Sequence, residues 1–408
     1  VDRRTFLTAA GAAGALAACT RAGGAPPVPA PTPAAALRDG PWTLSPALQA
    51  SIPALLAASG VPGCAVVVVE RGAIAQRLAF GVRRAGAPDP MTPDTVIEAA
   101  SLSKPVTAYA ALRLVQAGRL ALDRPLAEQA PLDDLTDARA RTVTVRHVLR
   151  HAAGFPNWRF TDDALTTAFE PGTRFRYSGE GYHLLQRVVE QVTGQPFALA
   201  IEELVLAPFG MTRSSFVWLP AFEGHAASGH GDPATPREGL ADVGRRLARV
   251  ADQVGKPLRE WTAADALRGA ALANPQRKPV PVLVQPNAAG SLFTTATDYG
   301  AFLIHALAPG GPHALAPALR AEQLRAQTPI TDALAWGLGW GLERVGDRTL
   351  AWHWGDNGGI KNFVVADAGA GRAIAVFTNA ASGFKAYDRI VRAATGGERA
   401  GLLFWMVG

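Results

Sequence analysis

Two strand-like stretches lie at opposite ends of the chain, and they constrain the fold more than any other feature. "GCAVVVVERGAIAQRLAFGVRR" (63–84) reads as two buried strands joined at Arg71-Gly72. "RTLAWHWGDNGGIKNFVVADAGAGRAIAVFTNA" (348–380) gives three more short strands with Gly-rich turns. Between them the apolar spacing turns helical, in "VTAYAALRLVQAG", "TVRHVLRHAAG", "YHLLQRVVEQVTG" and "ADVGRRLARVADQV". Several of these runs stop at glycine, as helices closed by a left-handed cap do. The expectation is an α/β fold: one antiparallel sheet assembled from both chain ends, flanked by helices, with an all-helical insertion. The sheet should draw on about 45–100 and 290–408, and the helical part on about 101–289.

"EAASLSKPVTAYAALRLVQAG" carries Ser101 and Lys104 at the start of an alanine-rich helix. Residues three apart face the same side of a helix, so Lys104 Nζ can reach Ser101 Oγ. Ser101 would also sit at the positive end of the helix, its own N–H free to point at an oxyanion. The spacing alone is weak, because Ser382-Gly383-Phe384-Lys385 repeats it. Ser382 follows a strand near the chain end and has no partner motif, so it is read as structural. A serine hydroxyl is a poor nucleophile and needs a base within hydrogen-bond reach.

The stretch around Ser101 resembles the active-site helix of the serine β-lactamase and penicillin-binding superfamily, in its class C, D-Ala-D-Ala carboxypeptidase-like and family VIII esterase branch. "TVRHVLRHAAGFPNW", "EPGTRFRYSGEGYHLLQRVVEQVTGQPF", "AAGSLFTTATDYGAFL" and "WGLGW…AWHWGDNGGIKNFVVAD" resemble its later blocks in the right order, leaving 235–285 poorly matched. The resemblance implies a β-lactamase/transpeptidase-like fold with Ser101 as the acylated nucleophile, Lys104 its partner and Tyr177 the tyrosine of a second motif. His353-Trp354-Gly355 stands where lysine-threonine-glycine is usual. The N–H of Asp356 would join that of Ser101 in an oxyanion hole. An ammonium stabilises a phenolate and burial disfavours a charged lysine, so either Lys104 or Tyr177 could be the base. The chemistry needs no metal or organic cofactor.

Two departures bear on substrate. Gly179 replaces an asparagine whose amide meets the acyl-side amide of a penicillin or peptide. His353 replaces a permanent cation with a side chain neutral much of the time at pH 7. Both weaken recognition of an anionic amide more than they weaken acylation. The reading is a hydrolase of esters or related acyl compounds, with a D-peptidase second and a β-lactamase third. A non-catalytic binder of cell-wall fragments is the competing class, kept open by Gly179.

Composition narrows partners. The net charge of +6 is spread over 408 residues without a basic run, which argues against nucleic acid. At the N-terminus Arg3-Arg4 precede an apolar run from Phe6 to Ala18, too short to span a bilayer but suited to a signal, and the stretch resembles a twin-arginine export signal. Leu16-Ala17-Ala18-Cys19 resembles a lipoprotein cleavage box, making residues 1–19 an export signal and Cys19 a lipid-anchor site; the alternative is a plain signal peptide. Residues 20–44 then form a Pro/Ala linker ahead of the hydrolase domain at 45–408. The expected location is the periplasm or cell envelope. Cys64 is the other cysteine, so neither a disulfide nor a cysteine metal site is expected.

Overall fold

The computed structural model describes residues 37–160, 163–276, 278–307 and 310–407. The export signal, Cys19 and most of the linker lie outside the described residues.

Strands from both chain ends organise the described chain. From the N-terminal side come β1 (Gly63–Glu70) and β2 (Ala73–Gly81). The C-terminal side supplies β7 (Thr328–Pro329), β8 (Leu334–Trp336), β9 (Gly341–Val345), β10 (Arg348–Asp356), β11 (Lys361–Asp367) and β12 (Arg372–Thr378). Together they form an eight-stranded antiparallel sheet in the order β2-β1-β12-β11-β10-β9-β8-β7. The two ends join where β1 pairs β12, Val66 opposite Val376 and Val68 opposite Ile374. Successive strand side chains point to opposite faces. Val66 and Val68 therefore enter one apolar cluster with helices Pro46–Ser59, Phe384–Thr395 and Ala400–Val407. Ala65, Val67 and Val69 enter the other, with helices Ser103–Gln116 and Ala296–Leu307. β1 is buried along its length because both faces are covered. β2 was expected to be buried too, but it is the edge strand and alternates between exposed and half-buried residues.

Two elements differ from the sequence reading in ways that shape the site. The helix expected to run to Gly154 spans only Val145–Leu149, because His151 takes φ 53° and Gly154 φ 80°. The middle segment is also not purely helical. It contains the short hairpin β4 (Gly229–His230) and β5 (Pro236–Arg237), while β3 (Ile97–Glu98) pairs with β6 (Phe293–Thr294). Gly229 and Gly359 approach so closely that a side chain on either would meet the other's backbone at about 3 Å. This contact sets the hairpin against the β10–β11 turn.

Candidate active site

β10 outruns its neighbour. It pairs β9 only as far as Trp352 opposite Gly341, yet continues beside β11 to Asp356. The site is built at that projecting end. Ala99 O lies where a Cβ on Gly355 would stand only 2.3 Å away, so glycine is required for the nucleophile segment to cross β10. Asn362, opposite Gly355 on β11, donates to Glu98 O at 2.8 Å and Ala99 O at 3.2 Å, fastening that segment to the sheet.

Ser101 lies in a 3₁₀ turn, Ala100–Leu102, and the helix proper begins at Ser103 rather than at the serine. Side chains three apart eclipse in such a turn. Lys104 Nζ accordingly lies 3.1 Å from Ser101 Oγ. The turn is entered through Ala100 at φ 52°, a left-handed conformation costly for a residue with a Cβ. Ser103 helps hold it, donating to Ala100 O at 2.6 Å and accepting from Leu292 N–H at 3.0 Å. Ser101 itself is half-buried and Lys104 buried, 1 % exposed. Nζ also donates to Ala289 O at 2.9 Å. Burial pushes the Lys104 ammonium well below the usual lysine range. In its uncharged form Nζ, with one N–H committed to Ala289 O, keeps a lone pair for the serine proton.

Tyr177 stands against the freed edge of β10, its ring 4.7 Å from Trp354 and 6.2 Å from His353. Lys104 Nζ lies 4.7 Å over the same ring. Burial pushes the Tyr177 phenol well above its usual value, with Ser101 pulling the other way. No hydrogen bond of full geometry reaches Tyr177 Oη among the described residues. Burial thus pushes the lysine and the tyrosine each toward its neutral form.

The second-motif glycine has a steric reason. Ser178 caps the helix Gly179–Thr193, accepting from Gly181 N–H at 3.0 Å. A Cβ on Gly179 would stand 2.3–2.6 Å from three ring atoms of Trp158. Trp158 belongs to a loop clamped on that helix start. Asn157 accepts Gly179 N–H through both Oδ1 and its backbone carbonyl, each at 3.0 Å, and Arg159 pairs with buried Glu180 at 3.0 Å.

His353 was expected to face substrate. It is fully buried, and its Nδ1 donates to Trp354 O at 2.7 Å. Burial drives its pKa down to about 3, so it is a neutral wall behind Tyr177 and supplies no cation. The Asp356 side chain is 40 % exposed and pairs with Lys361, while Oδ1 accepts Gly358 N–H at 2.7 Å. Its charge is offset at the mouth of the site. The second serine–lysine spacing forms no pair. Ser382 Oγ donates to Gly60 O at 3.2 Å, and Lys385 turns outward toward Asp232 at 3.6 Å.

The sequence reading passed over His151. Its ring lies 4.2 Å from that of Tyr177, and its Nδ1 accepts Ser178 N–H at 3.1 Å, tying ring and helix cap together. It lies inside the quoted "TVRHVLRHAAG", but only its left-handed backbone turns it under the tyrosine. Trp158 and Asn362 were also missed, because their partners are distant in sequence. Among the described residues no cluster of His, Cys, Asp or Glu could hold a metal ion.

A serine beside a buried lysine, at the end of an antiparallel strand with helices on both sheet faces, defines a serine hydrolase of the β-lactamase and penicillin-binding type. The family model described as Beta-lactamase matches residues 48–396, and the chain belongs to that family. It is 34% identical to esterase EstB of Burkholderia gladioli over 185 residues, covering 38% of this chain and 47% of EstB. The match therefore spans about half of that relative. It is 29% identical over 342 residues to penicillin-binding protein 4 of Amycolatopsis lactamdurans, covering 78% of this chain and 81% of that protein. The structure of a β-lactamase/D-alanine carboxypeptidase from Pseudomonas syringae superposes with a TM-score of 0.66 at 16% identity, over 85% of this chain and 96% of the other. That likeness is one of fold.

Proposed function

We propose that this chain hydrolyses esters or related acyl compounds through an acyl-enzyme on Ser101. The observation that carries the reading is the 3.1 Å approach of Lys104 Nζ to Ser101 Oγ, with burial favouring the uncharged amine. As Oγ attacks the substrate carbonyl, its proton passes to the Lys104 lone pair. The carbonyl oxygen takes the electron pair and meets the N–H groups of Ser101 and Asp356. The ammonium so formed faces the Tyr177 ring at 4.7 Å and the Tyr182 ring at 5.7 Å, where cation–π attraction offsets part of its burial cost. Collapse expels the alcohol, which recovers a proton from the lysine–tyrosine pair, and water then hydrolyses the acyl-enzyme.

An ester fits better than an anionic amide. Trp158 fills the place of a side chain at position 179, and buried neutral His353 offers a carboxylate no charge. Similarity to EstB supports the ester reading, and similarity to penicillin-binding protein 4 supports D-peptides as the second. Incubation with a nitrophenyl acyl ester followed by peptide mass spectrometry tests it. A covalent acyl adduct on the Ser101 peptide, with turnover, is expected; neither adduct nor hydrolysis would mean a binding protein instead. We also propose that the chain is exported and lipid-anchored through Cys19. Cys19→Ser should then move the protein from membranes to the soluble fraction at unchanged specific activity, and a variant still on the membrane refutes the anchor.

A further inference from the structure

Glu98 is a buried carboxylate that the acyl-transfer steps do not use. It lies three residues before Ser101, on β3, and is 3 % exposed. Its two oxygens are held by N–H groups from two distant parts of the chain. Oε2 accepts from Asn357 Nδ2 at 3.0 Å, and Oε1 accepts from Ala241 N–H at 3.2 Å. Ala241 belongs to the first turn of helix Leu240–Val254, whose positive end favours an anion. Gly239, just before that helix, is glycine because a Cβ there would stand 2.5 Å from Glu98 Oε1. Burial itself and the neighbouring Asp242 oppose the charge, raising the Glu98 pKa. A carboxylate kept in such a place needs a reason.

The reason lies in what Asn357 belongs to. It is the first residue of the turn after Asp356, whose N–H is half of the proposed oxyanion hole. Within that turn Gly359 N–H donates to Asn357 O at 3.0 Å, and Gly359 O accepts from His230 N–H at 3.0 Å. The Glu98 side chain thus bonds this turn while standing on the backbone segment that carries Ser101. The same residue's carbonyl is gripped by Asn362 of β11.

We propose that Glu98 is a positioning residue for acyl transfer. Its carboxylate fixes the distance between the Ser101 N–H and the Asp356 N–H by tying the 357–360 turn to the nucleophile segment, with helix Leu240–Val254 as backing. The proposal rests on the acyl-enzyme reading. It also gives the poorly matched stretch 235–285 a role, since the start of its first helix supplies an N–H donor to the carboxyl group buried behind the nucleophile segment. The oxyanion hole is a transition-state device, so loosening it should lower kcat and leave KM nearly alone.

The experiment compares wild type with Glu98→Ala, Glu98→Gln and Asn357→Ala, using a nitrophenyl butyrate substrate and phenylboronic acid, whose tetrahedral serine adduct mimics the oxyanion. Glu98→Ala and Asn357→Ala should each lower kcat roughly 10- to 100-fold, less than outright loss of an oxyanion donor. KM should stay within about threefold, and boronate affinity should fall by the same factor as kcat/KM. Glu98→Gln should recover most of the activity, since its oxygen can accept from Ala241 N–H and its amide can donate to a flipped Asn357. Asn357→Ala leaves the helix contact intact, so it carries the test if Glu98→Ala fails to fold. A wild-type acyl adduct alongside a folded Asn357→Ala with unchanged kcat and boronate affinity overturns the role of Glu98 alone. A change confined to KM does the same. Absence of any wild-type adduct overturns the acyl-enzyme reading, and this proposal with it.

Discussion

Placing asparagine at position 179 is the obvious route to an amide-recognising site, and the contact with Trp158 determines what it would do. Gly179 has ordinary helical geometry, so backbone strain is no obstacle; the obstacle is volume. A Cβ would stand 2.3, 2.5 and 2.6 Å from three atoms of the Trp158 ring, where carbon atoms pack at about 3.5–4.0 Å. The ring would have to retreat by more than about 1 Å, and it cannot swing freely. Its neighbours Asn157 and Arg159 are bonded to the same helix start. Overpacking of this kind costs about 1–3 kcal/mol, more than the gain of up to about 1 kcal/mol from removing a helical glycine. Gly179→Asn should therefore lower stability by about 1–2 kcal/mol and raise no activity on cephalosporins. In a Trp158→Ala background the same substitution should be nearly neutral, giving a coupling energy of about 1–3 kcal/mol. Urea unfolding of the four proteins in the cycle measures the coupling. The ratio of kcat/KM for a cephalosporin to that for a nitrophenyl ester shows whether the asparagine amide meets substrate once the tryptophan has gone. Should Gly179→Asn be as stable as wild type and additive with Trp158→Ala, Trp158 does not hold that space and position 179 is not closed to an amide-binding side chain.

Three further predictions use the same geometry. Ser101→Ala should abolish ester hydrolysis while Ser382→Ala keeps it, because Ser382 Oγ is spent on Gly60 O; steady-state assays of both settle the matter. Burial holds the Lys104 ammonium well below the usual lysine range, and the free base is the active form. The kcat/KM profile should thus fall on the acid side with a midpoint well below the ~10.4 of an ordinary lysine, and an activity that rose up to pH 10 would contradict the assignment. Glu190 accepts Ala263 N–H at the start of helix Ala263–Ala273, and burial raises its pKa from 4.5 to about 7. A carboxyl raised on folding gives stability that is fully present below its unfolded pKa and is lost as pH rises through its folded one. From about pH 4.5 to 7 wild type should lose on the order of 3 kcal/mol relative to Glu190→Gln, as read from urea midpoints across that range.

The sequence by itself determined the parts governed by neighbours along the chain. The run 64–69 and the short apolar stretches after Arg348, set off by Gly-rich turns, read as strands, and they became β1, β10, β11 and β12. Helices ending at Gly194 and Gly255 stop where a left-handed cap was legible. The Ser101–Lys104 approach was legible too, since three-residue spacing places two side chains on one face whether the turn is α or 3₁₀. Tertiary structure alone decided what surrounds that pair. That both lysine and tyrosine are pushed toward their neutral forms follows from burial by residues as distant as Ala289. His353 reads as a substrate-facing group until β8 and the 177 segment close over it. Gly179 looks like a missing side chain, and only the folded loop reveals that Trp158 occupies its place. Nothing near Glu98 in sequence indicates its partners, Asn357 and the helix at Leu240, which come to it from more than a hundred residues away. Each of these depends on contacts whose partners are set by sheet register and loop closure, and a local pattern holds no record of which distant residue will arrive.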